Sequence, residues 1–408
     1  ICRLMEASGW DVLREFYVND AGNQIVKLGE SLTARYFEYF GKEYPLPEDG
    51  YHADDIKEIA AQLAKEEGDK WLTADPKERL AYFMDYGKKK ELEKIDRDLK
   101  TYRVTMQSWM HETFFYEDNC KRINACLDRM ADMGLTYEKD GALWFKSTDY
   151  GDEKDRVLRK SDGTFSYLTP DIANHVYKVE RGYPLLVDLW GADHHSYVIR
   201  MQNALTALGY PKGTLEVDLI QMVRMVEDGK EVKMSKRTGN AITLTDLLEE
   251  VPIDSARFLF NMHDAGSGID FDLDQAVKTD NDNPVYYVQY AHARICSILK
   301  KMESEGVQFA GAEKVDATLL TEPSEMDLIR MLAAFPQEIV MAAEKYDPSR
   351  INRFVIDLAS AFHRFYGNCR IQGADPAVQQ ARLALCIGVK NVIFNVLTMF
   401  KINVPEKM

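Results

Sequence analysis

The sequence predicts an α/β domain built around a mostly parallel sheet, followed by an all-α domain. Between residues 100 and 245, apolar strands alternate with helices, which is the pattern of a doubly wound sheet. After an Asn-Asp-Asn-Pro turn at 281–284, apolar residues recur at helical spacing to the end of the chain. We therefore predict an α/β domain at 1–280, with a segment inserted at about 41–105, and a helical domain at 281–408.

The first forty residues predict a helix, a strand and a second helix. The strand over 14–18 stops at an Asn-Asp-Ala-Gly sequence at 19–22, because Asn and Asp followed by Gly are ordinary turn formers. A loop at 44–51 precedes an exposed, charged helical stretch, and the charged helix at 88–98 has the composition of a solvated face. An Asp-Gly pair at 162–163 predicts a tight hairpin.

A polar cluster follows the apolar run 187–190. Gly191 ends the run, and Asp193, His194 and His195 come directly after it. The carboxyl end of a buried parallel strand is where ligands bind in open α/β sheets, so we predict a ligand site here. A metal site is the alternative, but the spacing of cysteines and histidines elsewhere offers no further ligands, and we predict none.

A second cluster crowds three cations into five residues, Lys233-Met234-Ser235-Lys236-Arg237, just after an acidic turn that joins two apolar-alternating runs. Such a loop repels itself unless it meets an anion. A polyphosphate suits point-charge ammonium groups, because charge builds up on its oxygens as a phosphate bond breaks. The alternative is a solvated basic turn.

A third segment places an aromatic ring and an acid four residues apart, at Tyr167 and Asp171. Pro170 fits the first turn of a helix, where an acid also complements the helix dipole. A guanidinium ligand needs a carboxylate for bidentate pairing and an aromatic face to stack on. Tyr167 and Asp171 therefore form a candidate guanidinium site.

Several of these strings resemble one family. Lys-Met-Ser-Lys at 233–236 closely resembles the lysine loop of class I aminoacyl-tRNA synthetases, and the Arg-Thr-Gly-Asn after it is most similar to the arginyl member. Gly-Ala-Asp-His-His at 191–195 is similar to the stretch that lines the aminoacyl-adenylate pocket in bacterial-type arginyl-tRNA synthetases. The segment 167–173 resembles the family's Tyr-x-x-x-Asp-Ile-Ala motif, whose Tyr and Asp contact the arginine side chain.

Two further segments carry the resemblance. Residues 17–24 are nearly identical to the family's Tyr-x-Asn-Asp-Ala-Gly-Asn-Gln motif. Residues 106–112 resemble its Phe-Asp-x-Trp-Phe-Ser-Glu run, whose Glu faces the guanidinium, but depart from it at Met106, Gln107 and His111.

The resemblance implies a class I Rossmann-like catalytic domain, incomplete at its amino terminus, followed by a helical anticodon-binding domain. It implies an arginine–tRNA ligase that uses ATP and Mg²⁺, with tRNA(Arg) and L-arginine as substrates, in a cytoplasmic monomer without a membrane partner. The implied catalytic residues are Lys233 and Lys236. The implied ATP-binding residues are Lys233, Met234, Ser235, Lys236, Gly191, Asp193, His194 and His195. The implied arginine-binding residues are Glu112, Tyr167 and Asp171, with Asn19, Asp20 and Gln24 near the site.

One family element is missing from the sequence. Class I synthetases carry a His-x-Gly-His element whose imidazoles hold the ATP phosphates, and none of the eight histidines here begins such a string. In the family this element lies shortly before the segment that 2–7 resembles, so we expect an amino-terminally truncated form. The alternative function is therefore a catalytically defective fragment that binds tRNA through its helical domain.

Composition excludes some classes of protein. A net charge of −15 argues against a protein that simply coats nucleic acid, although local basic residues leave tRNA binding open. Six scattered cysteines without a Cys-x-x-Cys predict buried thiols in a reducing compartment, not disulfides or zinc. We find no apolar run long enough to predict a bilayer span.

Overall fold

The computed structural model describes residues 1–232 and 242–408. The chain forms two compact units, each described by itself. The pocket unit comprises Leu13–Asp188 and Ser196–Val217, and the bundle unit comprises Ile1–Val12, Leu189–His195 and Asp218–Met408.

The helices lie where the described chain has amphipathic periodicity. They are α1 (Cys2–Ala7), α2 (Asn23–Tyr39), α3 (Asp54–Glu67), α4 (Pro76–Thr101), α5 (Thr113–Asp132), α6 (Leu168–Glu180), α7 (His195–Ala207), α8 (Leu244–Glu250), α9 (Ile253–Phe260), α10 (Leu273–Ala276), α11 (Pro284–Ser304), α12 (Pro323–Glu344), α13 (Ser349–Asn368) and α14 (Pro376–Met399). Short 3-10 helices span Lys70–Leu72, Ser147–Tyr150, Ala192–His194, Ala312–Lys314 and Ala317–Leu319.

The strands are short. They are β1 (Glu15–Val18), β2 (Ser108–His111), β3 (Thr136–Lys139), β4 (Ala142–Phe145), β5 (Arg156–Arg159), β6 (Leu186–Gly191), β7 (Leu215–Ile220), β8 (Val223–Glu227), β9 (Lys230–Val232) and β10 (Ile269–Asp272).

The parallel pairing predicted for the α/β region is present. Strands β1 and β2 pair in parallel, as do β8 and β10, and β6 forms a pair with β7. Strand β9 is antiparallel to β8 at the edge of its sheet. The architecture predicted from the sequence, with parallel strands in the α/β region and a helical domain after it, is therefore confirmed.

An antiparallel meander, β3-β4-β5, interrupts the alternation of strand and helix that the sequence predicts after residue 100. Asp140 and Gly141 join β3 to β4 with φ values of 54° and 73°. This is the backbone of a tight hairpin turn, in which both central residues need positive φ. The hairpin predicted at 162–163 is confirmed, because Arg159 forms an antiparallel bridge with Phe165 across that turn.

The predicted insertion packs as helices against α2. The prediction of an exposed stretch is wrong for α3, whose Ile56, Ile59 and Leu63 join Tyr36 and Phe83 in one core. The apolar positions of α3 recur every three or four residues, which is the spacing of a buried helix face. The many charged residues between them led to the prediction of an exposed helix.

The charged part of α4 is also less solvated than predicted. The 26-residue helix lies along α2 and α3, so some of its lysines have partners on other elements. The Lys88 ammonium lies 3.3 Å from the Asp20 carboxylate, and that of Lys94 lies 2.6 Å from the Asp55 carboxylate.

The helices after residue 281 form the predicted bundle, in which α11 to α14 pack on one another and α1 packs on α12. The aromatic stripe of α13 is mainly core, as Phe362 and Phe365 are fully buried. The cysteines are free thiols, and Cys126, Cys296, Cys369 and Cys386 are buried, as predicted.

Helix α14 corrects the sequence prediction on membrane spans. By length and composition it is apolar enough to cross a bilayer, the one such helix among the described residues. It also packs on α11, α12 and α13, and 44% of its most apolar window is buried. A core helix of a bundle meets the same criteria, so this is weak evidence for a membrane span.

Candidate arginine pocket and nucleotide site

The candidate pocket begins where β1 and β2 end. The strands are parallel, with Val18 in register with His111, so their carboxyl ends lie at one edge. The carbonyl oxygen of Val18 accepts hydrogen bonds from the backbone N–H groups of Asp20 and Glu112, both at 2.9 Å. The chain segments that follow the two strands are thereby tied together.

Asp20 fastens this edge through its side chain, which is 1% exposed. It accepts hydrogen bonds from the backbone N–H and hydroxyl of Thr113 at 3.0 and 3.1 Å, and from His111 Nδ1 at 2.8 Å. Burial opposes its ionisation, but these donors and the Lys88 ammonium outweigh burial and lower the pKa of Asp20. Asp20 therefore acts as a brace that holds the backbone of Thr113 and the imidazole of His111, the two residues on either side of Glu112.

The other two residues predicted near the site are exposed. Asn19 precedes Asp20 in the turn after β1, and Gln24 is the second residue of α2. Between them Gly22 has a φ of 122°, a conformation that favours glycine. Asn19 and Gln24 are thus exposed to solvent, whereas Asp20 is buried.

Glu112 lies in the pocket at the amino end of α5 and is 4% exposed. Its Oε1 accepts a long hydrogen bond, 3.4 Å, from the Tyr116 hydroxyl. Burial, and then the charge of Asp171, raise the pKa of Glu112 to about 7, against the hydrogen bond from Tyr116 and the nearby Tyr17 hydroxyl. Within the described part of the chain no cation forms an ion pair with it.

Asp171 lies in the first turn of α6 and accepts a 2.6 Å hydrogen bond from the Tyr197 hydroxyl. Burial raises the pKa of Asp171, and the charge of Asp188 raises it further. The Tyr197 hydrogen bond and the charges of His175 and Lys178 oppose this rise without cancelling it. Asp171 also lacks an ion pair among the residues that the structure describes.

Three tyrosines that the sequence analysis did not select as site residues, Tyr17, Tyr116 and Tyr197, lie beside Glu112 and Asp171. Burial raises the pKa values of Tyr17, Tyr116 and Tyr197, that of Tyr116 to about 12, and the pocket carboxylates add to each shift. The buried Tyr17 hydroxyl lies near Glu112 without a hydrogen bond of ordinary geometry in the described structure. Only Tyr116 had a local signal, its helical spacing of four from Glu112.

Tyr167 lies at the amino end of α6, and its side chain is 76% exposed. It lies four positions before Asp171, which puts both on one side of the helix start. No hydrogen bond or ring contact joins it to Glu112 or Asp171 in the described part of the molecule. The structure thus brings the two acids together, and the stacking role of Tyr167 stays a prediction.

The Gly-Ala-Asp-His-His stretch lies in the bundle unit, at the carboxyl end of β6 as predicted. Gly191 ends the strand, Ala192–His194 forms a 3-10 turn, and His195 begins α7. The Asp193 and His194 side chains are 81% and 59% exposed, with His194 Nε2 3.6 Å from Asp193 Oδ2. His195 is also exposed, so the polar groups of this turn face outward from their unit.

The lysine loop, with Lys233, Met234, Ser235 and Lys236, lies outside the described residues. The acidic turn before it is the predicted hairpin between β8 and β9, where Asp228 and Gly229 have φ values of 50° and 69°. After the loop, Thr243 begins α8 in a capping box with Asp246. Both flanks of the loop are therefore defined by local hydrogen bonding.

No group of three or more metal-ligating side chains occurs among the described residues. The pocket offers two carboxylates, Glu112 and Asp171, beside tyrosine hydroxyls. This donor set does not fit a resident Mg²⁺, which requires near-octahedral oxygen coordination.

Known proteins match the chain throughout. Residues 1–280 match the family "tRNA synthetases class I (R), catalytic domain", and residues 288–408 match the "DALR anticodon binding domain". The arginine–tRNA ligases of Bacillus licheniformis and Bacillus subtilis are each 47% identical to it. Each alignment covers 100% of this chain and 73% of the relative.

Solved structures agree. The chain is similar to a Campylobacter jejuni protein described as an arginyl-tRNA synthetase, with 31% identity and a TM-score of 0.89, over 100% of this chain and 87% of the other. Thermus thermophilus arginyl-tRNA synthetase, at 20% identity and a TM-score of 0.75, covers 100% and 78% and shares the fold. The chain belongs to the arginyl-tRNA synthetase family of class I aminoacyl-tRNA synthetases.

Proposed function

We propose that this chain is an arginine–tRNA ligase, which activates L-arginine with ATP to arginyl-adenylate and transfers it to the 3′ end of tRNA(Arg). The relatives named arginine–tRNA ligase support this function. The observation that carries it is the pair of acids formed by the buried Glu112 and the half-buried Asp171. Burial and then the charge of Asp171 raise the pKa of Glu112, burial raises the pKa of Asp171, and no described cation forms an ion pair with either acid.

A guanidinium ligand fits this pair. It carries a fixed positive charge and five N–H donors, so it can satisfy two carboxylates at once. Glu112 and Asp171 would take the donors, and the exposed ring of Tyr167 would stack on the guanidinium plane. A neutral side chain of the same shape would leave the acids unpaired, which gives the pocket its selectivity.

For activation, the arginine carboxylate would attack the α-phosphate of ATP and pyrophosphate would leave. Lys233 and Lys236 would offset the charge that develops on the phosphates, with Met234 and Ser235 shaping the loop around ATP. Gly191, Asp193, His194 and His195 would contact ATP at the end of β6. The protein contributes mainly positioning and charge stabilisation.

Mg²⁺ would enter with the phosphates of ATP, because this ion commonly reaches protein sites bound to substrate phosphates. The described residues provide no separate cage for it.

Transfer would follow when a ribose hydroxyl of the terminal adenosine of tRNA attacks the adenylate carbonyl. We assign anticodon binding to the domain at 281–408. Of four arginines on its α13 side, Arg350 pairs with Glu338 and Arg353 with Asp347, whereas Arg364 and Arg370 are exposed. On a chain of net charge −15, these exposed cations would form a local basic surface that could contact the phosphate backbone of tRNA. We propose a cytoplasmic monomer without a membrane partner.

The alternative is a fragment that binds tRNA but does not catalyse, and the comparisons support the ligase instead. Arginine-dependent ATP–pyrophosphate exchange, measured on the full-length protein with tRNA present, tests the proposal. We expect exchange with arginine and none with citrulline. Lys236→Ala should lower the activation rate far more than it weakens arginine binding, by about 3–4 kcal/mol in the barrier.

Two results would count against these assignments. Absence of arginine-dependent exchange in a folded, full-length protein would refute the ligase. A loss below about tenfold in pre-steady-state activation by Lys236→Ala would remove that lysine from the transition state.

A further inference from the structure

His175 occupies an unusual place behind the candidate pocket. It lies one turn after Asp171 on α6 and is 3% exposed. Its Nδ1 is 2.7 Å from the carbonyl oxygen of Asp171, and its Nε2 is 2.8 Å from Oδ2 of Asp188 on β6. The Lys178 ammonium donates to the other oxygen of Asp188 at 3.2 Å.

Both partners of the ring can only accept hydrogen bonds. A backbone carbonyl carries no proton, and the pKa of Asp188 is lowered against the effect of burial, with the Lys178 ammonium donating to its other carboxylate oxygen. Asp188 is therefore an ionised acceptor. A neutral imidazole donates from one nitrogen only, so satisfying both contacts requires the doubly protonated ring.

A cation at this position acts on Asp171 in two ways. Its hydrogen bond to the Asp171 carbonyl fixes the first turn of α6, from which the carboxylate projects. Its charge favours the ionised form of Asp171 against burial, the one condition under which Asp171 can pair with a guanidinium.

We propose that His175, held as an imidazolium between the Asp171 carbonyl and the Asp188 carboxylate, is a positioning residue that keeps the Asp171 carboxylate ionised for the arginine side chain. The inference rests on the proposed function, because it assigns the ligand of that same pocket.

Other charged groups face Asp171 and contribute to its state. Asp188 opposes its ionisation and Lys178 favours it, while Tyr197 donates to it from α7. Burial and then the charge of Asp171 raise the pKa of Glu112 at the start of α5, and burial and the charges of both acids raise the pKa of Tyr17. None of these donates to the Asp171 backbone, which distinguishes His175.

The first test is direct. In the full-length protein, ¹⁵N spectra of the histidine side chains at pH 7, assigned with His175→Gln, report whether one or both ring nitrogens carry protons. We expect the doubly protonated pattern for His175. A single protonated nitrogen overturns the proposal, whatever the protein catalyses.

The second test measures arginine and citrulline binding by calorimetry between pH 6 and pH 9, for wild type and His175→Gln. Loss of the cation should raise the pKa of Asp171, so the variant should bind arginine about tenfold more weakly at pH 6, where one pKa unit corresponds to a tenfold change. The deficit should shrink toward pH 9, and citrulline binding should not follow this profile. His52→Gln, at an exposed histidine of the same unit, is the matched control.

The outcomes separate the possibilities. An equal loss at every pH, with a lowered melting temperature, would mean that His175 is only structural and would overturn the proposal. Should His175→Gln fail to fold, Asp188→Asn, which keeps an acceptor oxygen but removes its charge, should leave a single protonated nitrogen on His175 in the ¹⁵N spectra, and a ring that stays doubly protonated in that variant would overturn the proposal. A wild type that does not distinguish arginine from citrulline would refute the proposed function, while the ¹⁵N result would still decide the protonation of His175.

Discussion

The pocket unit buries two kinds of carboxylate, and they differ in what surrounds them. Asp20 and Asp188 meet several donors and a cation each, and their pKa values are lowered despite burial. Glu112 and Asp171 meet tyrosine hydroxyls, and their pKa values are raised. All four are buried or half-buried, so it is the supply of donors that separates a structural acid from one prepared for a ligand.

The arrangement of the two kinds is informative. Asp20 contacts the His111 imidazole and the Thr113 backbone on the two sides of Glu112. Asp188 contacts His175, whose ring in turn contacts the backbone carbonyl of Asp171. Each acid of the pocket, Glu112 or Asp171, is therefore positioned by a second acid, Asp20 or Asp188, whose own hydrogen bonds are made within the protein. A guanidinium would supply Glu112 and Asp171 with the positive charge and the hydrogen-bond donors that the described residues do not provide.

The largest effect should come from Asp171→Asn, which keeps the shape of the side chain but removes its charge. We expect arginine affinity to fall by about 2–5 kcal/mol, as when a buried charged pair is broken. Citrulline, which is isosteric and neutral, should be penalised much less by the variant than by the wild type. Binding titrations at pH 8 measure both, with Glu180→Gln at the exposed end of α6 as the control.

If Asp171→Asn discriminates arginine from citrulline as well as the wild type does, Asp171 is not the selective acid. Glu112 or Asp193 would then take its place in the assignment.

Substitution of Asp20, an acid that contacts the protein's own donors, should lower the stability of the folded protein. Asp20→Ala leaves the donors of Thr113 and His111 unpaired and removes the nearer of two carboxylates beside the Lys88 ammonium, so we expect the free energy of unfolding to fall by about 2–3 kcal/mol. Urea denaturation measures it. The control is Asp85→Ala, an exposed acid 3.5 Å from the same lysine, which should cost less than about 1 kcal/mol. Equal losses in the two variants would show that Asp20 is not a brace.

Glu112→Gln should have the opposite effect on stability. The folded-state pKa of Glu112 is about 7 against an ordinary 4.5, so the folded state holds its proton over a range in which the unfolded state has lost it. Stability from this group is therefore present at low pH and lost as pH rises from about 4.5 to 7. Removing the acid should raise the free energy of unfolding by ~1–2 kcal/mol at pH 7.5, and by little at pH 4.

Denaturation of Glu112→Gln and wild type without ligand, across that pH range, checks the sign. A variant that is less stable than wild type at pH 7.5 would mean that Glu112 already has a partner in the folded protein. The same variant should bind arginine more weakly, so stability and affinity should move in opposite directions.

Local signals in the sequence were sufficient for the elements that deliver the pocket. The turn after β1, the start of α6, the polar end of β6 and the helical domain follow from turn formers, Pro placement and periodicity, and all are confirmed. Glu112 was found through its motif alone, since nothing in the spacing of a single acid marks it as buried.

What the sequence did not predict depends on contacts between distant residues. Thr113 lies 93 residues from Asp20, and Tyr197 lies 26 residues from Asp171. His111, one of the positions at which the chain departs from the family's run, turns out to donate to Asp20. Such pairings follow from strand register and helix packing, which no single-chain periodicity encodes. The burial of α3, by contrast, was present in its apolar spacing and was masked by its charges.

The smallest effect should come from Tyr116→Phe, which removes the long hydrogen bond to Glu112. That bond opposes the rise in the pKa of Glu112, so without it the acid should hold its proton to slightly higher pH. Arginine must bind the ionised acid, so its affinity should fall by about 0.5 kcal/mol near pH 7. The deficit should vanish near pH 8.5, where Glu112 is ionised in both proteins.

The matched control is Tyr137→Phe, which removes the 3.0 Å hydrogen bond that the Tyr137 hydroxyl donates to Asp155. The pKa of Asp155 is lowered, and this acid lies outside the pocket. Calorimetric titration at the two pH values decides between two roles for Tyr116. A deficit that persists unchanged at pH 8.5 would place the Tyr116 hydroxyl on the ligand itself, and would remove it from the group that sets the charge of Glu112.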